Sequence, residues 1–298
     1  MIGSHSECIC TPESPFKINV LRQPSLTRKD RGDIDVGLLM DSIRSDWKFK
    51  IWALDLPEFS ADEIDSYQTL FRFIVSSYGR KNGKPDSHIW IDHTPSNIKY
   101  AHLLKSFFTK AKFIHIVRDG RAVAASIIPL VWGPNTVSGA ARSWVKKVSQ
   151  CLAIESSLGD NVIMRVRYED LVADPVTILR SICLFLDIPY QPQMIMGTGY
   201  RVPAYTADQH SLLGKEPDAK RATAWERELM PRQVEIFESI AGRLLLSLGY
   251  TLKYDHGARR MNVIEQAASL VREAYKGKII NRIHQRRRIK RGISATGK

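Results

Sequence analysis

Two guanidiniums, Arg118 and Arg121, stand three residues apart at a break in the stretch FIHIVRDGRAVAAS, Phe113 to Ser126. Phe113 to Val117 is short, mostly apolar and rich in β-branched residues, and reads as a buried strand. From Ala122 the composition favours helix, with Asp119 placed as its N-cap. A strand, a sharp turn and a helix start bring free N–H groups and cationic side chains to one point, which makes a good anion site. In open α/β sheets such turns lie at the carboxyl ends of strands, where ligands bind. The plainer alternative is an Arg118–Asp119 ion pair beside a solvated Arg121.

The elements that must hold this turn follow from pattern along the chain. Thr11-Pro12-Glu13-Ser14-Pro15 is a restricted polar turn, and Met1 to Lys17 reads like the middle of a domain. Asp33 to Trp47 has apolar residues at helical spacing. Ser60 with Glu63 forms a capping box for a helix to about Tyr78. His88 to Ile91 reads as a second short buried strand ending in Asp92-His93-Thr94-Pro95, and Ser96 or Asn97 can cap a helix to about Thr109. Thr136 to Ser157 is a long helix and Asn161 to Val166 a third strand. Asp174 and Pro175 open the next helix as cap and first-turn proline. Tyr190 to Ala219 is irregular, long enough for a substrate-facing loop, and Pro231 to Leu248 is a last core helix. Strands separated by helices predict an α/β fold of three layers around a parallel sheet.

Composition narrows the partners without choosing one. The 298 residues carry 44 Lys and Arg against 31 Asp and Glu, a formal charge of +13. That excess favours a polyanionic ligand, an acidic substrate, nucleic acid or an anionic surface. Cys8 and Cys10 have the wrong spacing for a zinc knuckle, and Cys183 fits a core position, so a reducing, cytoplasmic setting and no metal are expected. No apolar run reaches the roughly 18 residues of a membrane span, and the first residues lack the pattern of a signal peptide. After about Tyr254 the character shifts: Met261 to Ile280 is amphipathic, and Lys276 to Lys298 is strongly basic. That tail reads either as a solvated, frayed end or as a contact for an acidic surface or polymer. The expected organisation is therefore an α/β domain over 1–255 and a basic helical extension over 256–298.

Three segments in order, Asp92 to Asn97, Phe113 to Ser126 and Arg167-Tyr168-Glu169-Asp170-Leu171-Val172-Ala173-Asp174-Pro175, resemble the sulfotransferase family, in the branch with tyrosylprotein and bacterial enzymes. The resemblance covers about Met1 to Tyr250. It implies a fold like that of P-loop nucleoside triphosphate hydrolases. It also implies sulfuryl transfer from 3′-phosphoadenosine 5′-phosphosulfate (PAPS), a co-substrate, to a small-molecule, carbohydrate or peptide hydroxyl, or to an amine. By this resemblance Arg118 and Ser126 hold the 3′-phosphate and Tyr168 braces the pocket, its alternative being a packed core phenol. Lys220 and Arg221, just before Trp225, close over the nucleotide. Glu13 matches the glutamate that acts as general base, its alternative being a turn carboxylate in water. His93 stands where the family often has Lys, so its charge would depend on pH near neutrality; Asp92 and Thr94 would orient it.

The sequence departs from the family in one large respect. An Arg-Ser-Gly-Thr-Thr type turn, which cradles the 5′-phosphosulfate between a first strand and a first helix, is not found in these residues. The expectation is accordingly that the first strand is missing and that this chain has little or no transferase activity. It would be a fragment of a longer product or a decayed relative. The alternative function is a non-catalytic relative that binds an adenine nucleotide or an anionic polymer. A small-molecule kinase is disfavoured because it would need a phosphate loop with Lys and a metal-binding carboxylate. A nucleic-acid partner is not expected, since the basic tail shows no aromatic interleaving.

Overall fold

A computed structural model describes residues 1–23, 34–56, 63–130, 133–203, 213–284 and 286–287. Their contacts divide them into two compact units, one built from 1–113 and 179–216, the other from 114–178 and 217–288.

The first unit begins with a strand that the sequence reading did not anticipate. β1 (Cys8–Cys10) carries only three residues, too few for an alternating pattern to show. Next come α1 (Phe16–Leu21), α2 (Val36–Ser45), α3 (Trp47–Lys50) and α4 (Tyr67–Lys81). They supply the crossover that a parallel pair requires, and β2 (Ile89–Ile91) then pairs with β1 in parallel, Ile9 opposite Trp90. Asp35 and Asp46 cap α2 and α3 by accepting from Leu38 N and Lys48 N. The capping box of α4 is built by Ser66 and Thr69 rather than from Ser60, which lies outside the described residues. After β2 the expected caps do not act. A 3-10 turn over Asn97–Tyr100 precedes α5 (Ala101–Phe107), and the Asn97 carboxamide accepts from Lys17 Nζ at 2.6 Å rather than capping a helix.

The apolar faces of these helices close on Phe16, Leu39, Met40, Ile43, Leu70, Phe71 and Ile74, all buried. The Phe71 ring stacks between Phe16 and Trp90, at 6.4 and 5.8 Å between centroids, tying α1 and α4 to β2. Such aromatic pairs add about 0.5–1.5 kcal/mol beyond the area they bury.

In the second unit β3 (Phe113–Val117) pairs with β4 (Ile163–Arg167). Between them run α6 (Gly120–Ile127), capped by Asp119 as the sequence predicts, and the long α7 (Val137–Leu158), capped by Thr136. After β4 come α8 (Tyr168–Ala173) and α9 (Pro175–Leu186), the latter opened by Asp174, which accepts from Thr177 N at 3.1 Å; the first four residues of α9 count with this unit and 179–186 with the first. α10 (Trp225–Glu228), α11 (Pro231–Ser247) and α12 (Val263–Tyr275) complete the unit. Val117, Trp144, Phe237, Ala241 and Leu245 form its core. Gly120 is required at the first turn of α6: a Cβ there would lie 2.5 Å from the Phe237 ring and 2.7 Å from Trp144.

Candidate functional site

At the end of β3 the two arginines have separate fates. Arg121 is 3% exposed and inside a network rather than solvated. Its guanidinium pairs with Asp119 at 2.7 Å and Glu238 at 2.6 Å, and donates to the Thr251 carbonyl at 2.9 Å. It also lies over the Trp225 ring at 4.0 Å. Burial opposes its charge, but the hydrogen bonds and charges of Asp119 and Glu238 outweigh that and raise its pKa above the ordinary value. Asp119 is therefore the partner of Arg121, and the Arg118–Asp119 pair does not form.

Arg118 is left differently. Its guanidinium lies over the Tyr168 ring at 4.4 Å, and its Nη2 donates to the Arg221 carbonyl at 2.9 Å. Its backbone carbonyl accepts from Trp144 Nε1 at 3.2 Å, which fixes the strand end. Among the described residues its Nε is buried without a hydrogen-bond partner. A buried N–H donor is nearly always satisfied, and an unsatisfied one on a cation fits a site built to receive an anionic oxygen. Three of the expected nucleotide-binding residues, Arg118, Tyr168 and Arg221, thus converge. Ser126 is exposed near the end of α6, about 10 Å along the helix axis from the Asp119 cap. Lys220 is exposed on the same 3-10 turn as Arg221, and its N–H donates to the Asp218 cap.

Behind this surface a second layer holds the turn. Glu169 accepts from the Asp119 backbone N–H at 2.9 Å and from the Tyr250 hydroxyl at 3.0 Å. Burial first, and then the Glu169 carboxylate, raise the pKa of the Tyr250 phenol, so it remains a donor. Arg167 donates to the Leu248 carbonyl and covers the Tyr250 ring at 4.5 Å.

In the first unit Glu13 accepts from Lys48 Nζ at 2.6 Å through Oε2, and its carbonyl accepts from Trp52 Nε1 at 3.4 Å. The next residue is anchored deeply. Ser14 donates from its N–H to Thr94 Oγ1 and from its hydroxyl to Asp92, both at 2.7 Å. Asp92 is also paired with Lys17, which is 2% exposed, and accepts from the Thr94 hydroxyl at 2.6 Å. Burial alone would push the Asp92 carboxyl up, but the Lys17 ammonium and the Thr94 and Ser14 hydroxyls hold it below its ordinary value. The side-chain hydrogen bonds of Asp92 and Thr94 thus run to Lys17 and Ser14, and not to His93 as the sequence reading expected. His93 packs edge-on against Tyr200 at 4.7 Å, with Nδ1 3.9 Å from Cys10 Sγ. The buried network joins the segments that carry Glu13 and His93.

Lys17 is the residue that sequence reasoning missed. Its signal was a lone ammonium between Phe16 and Ile18, on a helix whose other buried residues are apolar. His5, close before β1, is fully buried and structural: Nε2 meets the Pro189 carbonyl at 2.8 Å while Nδ1 accepts from Glu7 N.

The geometry describes an α/β protein with an anion-ready arginine at a strand end, and comparison with known proteins assigns the class. Residues 1–192 match the Sulfotransferase family, and the chain belongs to that family. It is 31% identical over 106 residues to protein-tyrosine sulfotransferase A of Caenorhabditis elegans, covering 34% of this chain and 28% of that protein. It is 29% identical over 123 residues to the protein-tyrosine sulfotransferase of Drosophila melanogaster, covering 39% and 24%. The chain thus spans about a quarter of the length of these curated relatives. The fold is similar to the sulfotransferase domain of the Synechococcus PCC 7002 olefin synthase, with TM-score 0.55, 21% identity and coverage of 84% of this chain and 88% of that one. It is also similar to the sulfotransferase domain from the curacin biosynthetic pathway, with TM-score 0.50, 19% identity and coverage of 84% and 92%. The α/β, P-loop-like architecture expected from the sequence is therefore the observed one.

Proposed function

We propose that the chain provides the nucleotide-binding and acceptor-activating machinery of a sulfotransferase that uses PAPS. The observation that carries this reading is the buried, unpartnered Nε of Arg118, on a guanidinium held in place by the Tyr168 ring and the Arg221 carbonyl. An oriented arginine recognises phosphate with geometric specificity that a mobile lysine lacks. Arg118 binds the 3′-phosphate, Ser126 adds a hydroxyl, Tyr168 braces the arginine, and Lys220 and Arg221 contribute positive charge. No metal is assigned a role.

In the reaction the acceptor oxygen forms a bond to sulfur as the bond from sulfur to the 5′-phosphate oxygen breaks, releasing 3′-phosphoadenosine 5′-phosphate (PAP). The acceptor proton goes to Glu13. Because Oε2 of Glu13 is paired with Lys48, the proton falls to Oε1, and the rigid Ser14–Asp92–Lys17 network holds the turn that presents it. His93 donates a hydrogen bond to charge developing on oxygen. The tyrosine sulfotransferases among the relatives favour a tyrosine hydroxyl in a peptide as acceptor. Turnover by these 298 residues alone is expected to be low, since their sequence contains no Arg-Ser-Gly-Thr-Thr type turn for the 5′ end of the donor.

Binding separates the assignment from turnover. PAP is expected to raise the melting temperature of the parent protein, and Arg118→Ala to remove the shift while leaving the ligand-free melting temperature nearly unchanged. An equal shift in both proteins would overturn the assignment of Arg118.

A further inference from the structure

α12 is amphipathic, but it is docked the unusual way round. Glu265, Ser269 and Glu273 recur every four residues and so share one face. That polar face is the one held by the unit. Glu265 pairs with Arg232 at 2.7 Å, and Ser269 Oγ meets Ser138 Oγ at 2.6 Å. Glu273 accepts from the N–H groups of Asn135 and Thr136 at 2.9 and 2.8 Å and from the Thr136 hydroxyl at 2.7 Å, at the N-terminal end of α7. A Cβ on Gly139 would lie 2.4 Å from the Glu273 carboxylate, so glycine there is what admits the contact.

The opposite face is apolar and open. Val263 is 81% exposed, Ile264 80%, Leu270 67% and Val271 68%, with Tyr275 and Ile283 also exposed. Burying such residues normally supplies the stability of a surface helix. Here polar contacts hold the helix down and the apolar stripe is displayed, as at sites that meet a partner or a membrane.

Charge decides between occupants. The segment from Lys276 to Lys298 contains nine lysines and arginines and no carboxylate, and Arg259 and Arg260 stand just before the helix. A second copy seated face to face would bring two such basic segments together, which repulsion opposes. A dissolved polyanion would satisfy the charge and leave the stripe wet. An anionic bilayer surface satisfies both, taking the stripe into its headgroup boundary and the basic residues against its phosphates.

We propose that α12 and the basic residues Lys276, Arg282, Arg286 and Arg287 after it form a docking surface for anionic membranes. The test is co-sedimentation of the full chain with vesicles of phosphatidylcholine alone and of phosphatidylcholine mixed with phosphatidylserine. Two variants accompany it, Leu270→Ser/Val271→Ser and Arg286→Glu/Arg287→Glu, all at exposed positions, with circular dichroism melts to show that folding is kept. The parent is expected to sediment with the anionic vesicles and much less with the neutral ones. Each variant is expected to lose affinity by about tenfold, and salt should weaken the parent's binding. Failure to sediment with anionic vesicles, or equal sedimentation of the parent and the serine variant, would overturn the proposal. So would a dimer in sedimentation equilibrium that the serine variant abolishes, because a second copy would then cover the stripe.

Discussion

The guanidinium of Arg118 lies 4.4 Å over the ring of Tyr168, joining the end of β3 to the residue that follows β4. A cation over an aromatic face gains roughly 0.5–2 kcal/mol depending on how dry the site is. In the proposed site that gain is orientational: it holds the arginine plane while its donors meet phosphate. Tyr168→Phe keeps the ring and is expected to bind PAP like the parent. Tyr168→Ala is expected to bind about tenfold more weakly by titration calorimetry.

Arg118 and Arg121 look alike in the sequence and are expected to respond oppositely to mutation. Arg121→Ala strands the buried carboxylates of Asp119 and Glu238, so it should destabilise by about 3–5 kcal/mol in chemical denaturation. Arg118→Ala gives up one side-chain hydrogen bond and one ring contact but also removes a buried, unpaired N–H, so the net cost should be only about 1 kcal/mol.

Lys17 is expected to be as critical as any named site residue, through structure. Lys17→Met leaves Asp92 buried and unpaired, with an expected loss of about 3–5 kcal/mol. Lys17→Met/Asp92→Leu should recover part of that stability in the same denaturation measurement, because no buried charge is then left unpaired.

The docking of α12 should fail in acid. Hydrogen bonding to Arg232 holds the Glu265 carboxyl down at about 2, and Arg259 and Arg232 do the same for Glu235, also to about 2. A carboxylate depressed in the folded state contributes stability that is complete above its unfolded value of about 4.5 and is lost as pH falls through about 2. Hydrogen exchange of the α12 amides should therefore be steady from pH 7 to about 5 and lose protection as pH drops towards 2, whereas Glu265→Gln, which cannot titrate, should be less protected already at pH 7 and change less with pH.

What the sequence could reveal follows from how far each feature reaches along the chain. The strand, cap and helix around Asp119 lie within one local pattern and form where the sequence places them, but the strand is not buried as expected: only Val117 is, and Ile116 is exposed. The long helices from Thr136 and from Pro231 likewise show their apolar stripes in the sequence. β1 was invisible because three residues, Cys8 to Cys10, carry no period, and only pairing with β2 about 80 positions on makes them a strand. The Lys17–Asp92 pair joins residues far apart in the chain and leaves no local trace beyond a lysine among apolar neighbours. Asp119 choosing Arg121 over Arg118 depends on Glu238 and Trp225, which no spacing near the turn could show.

Calorimetric titration of PAP into the parent and into Arg118→Ala tests the central assignment most directly. The account predicts a single site in the parent and loss of measurable binding in the variant, with both proteins melting at nearly the same temperature. Unaltered affinity in Arg118→Ala, or no binding by the intact parent chain, would contradict it.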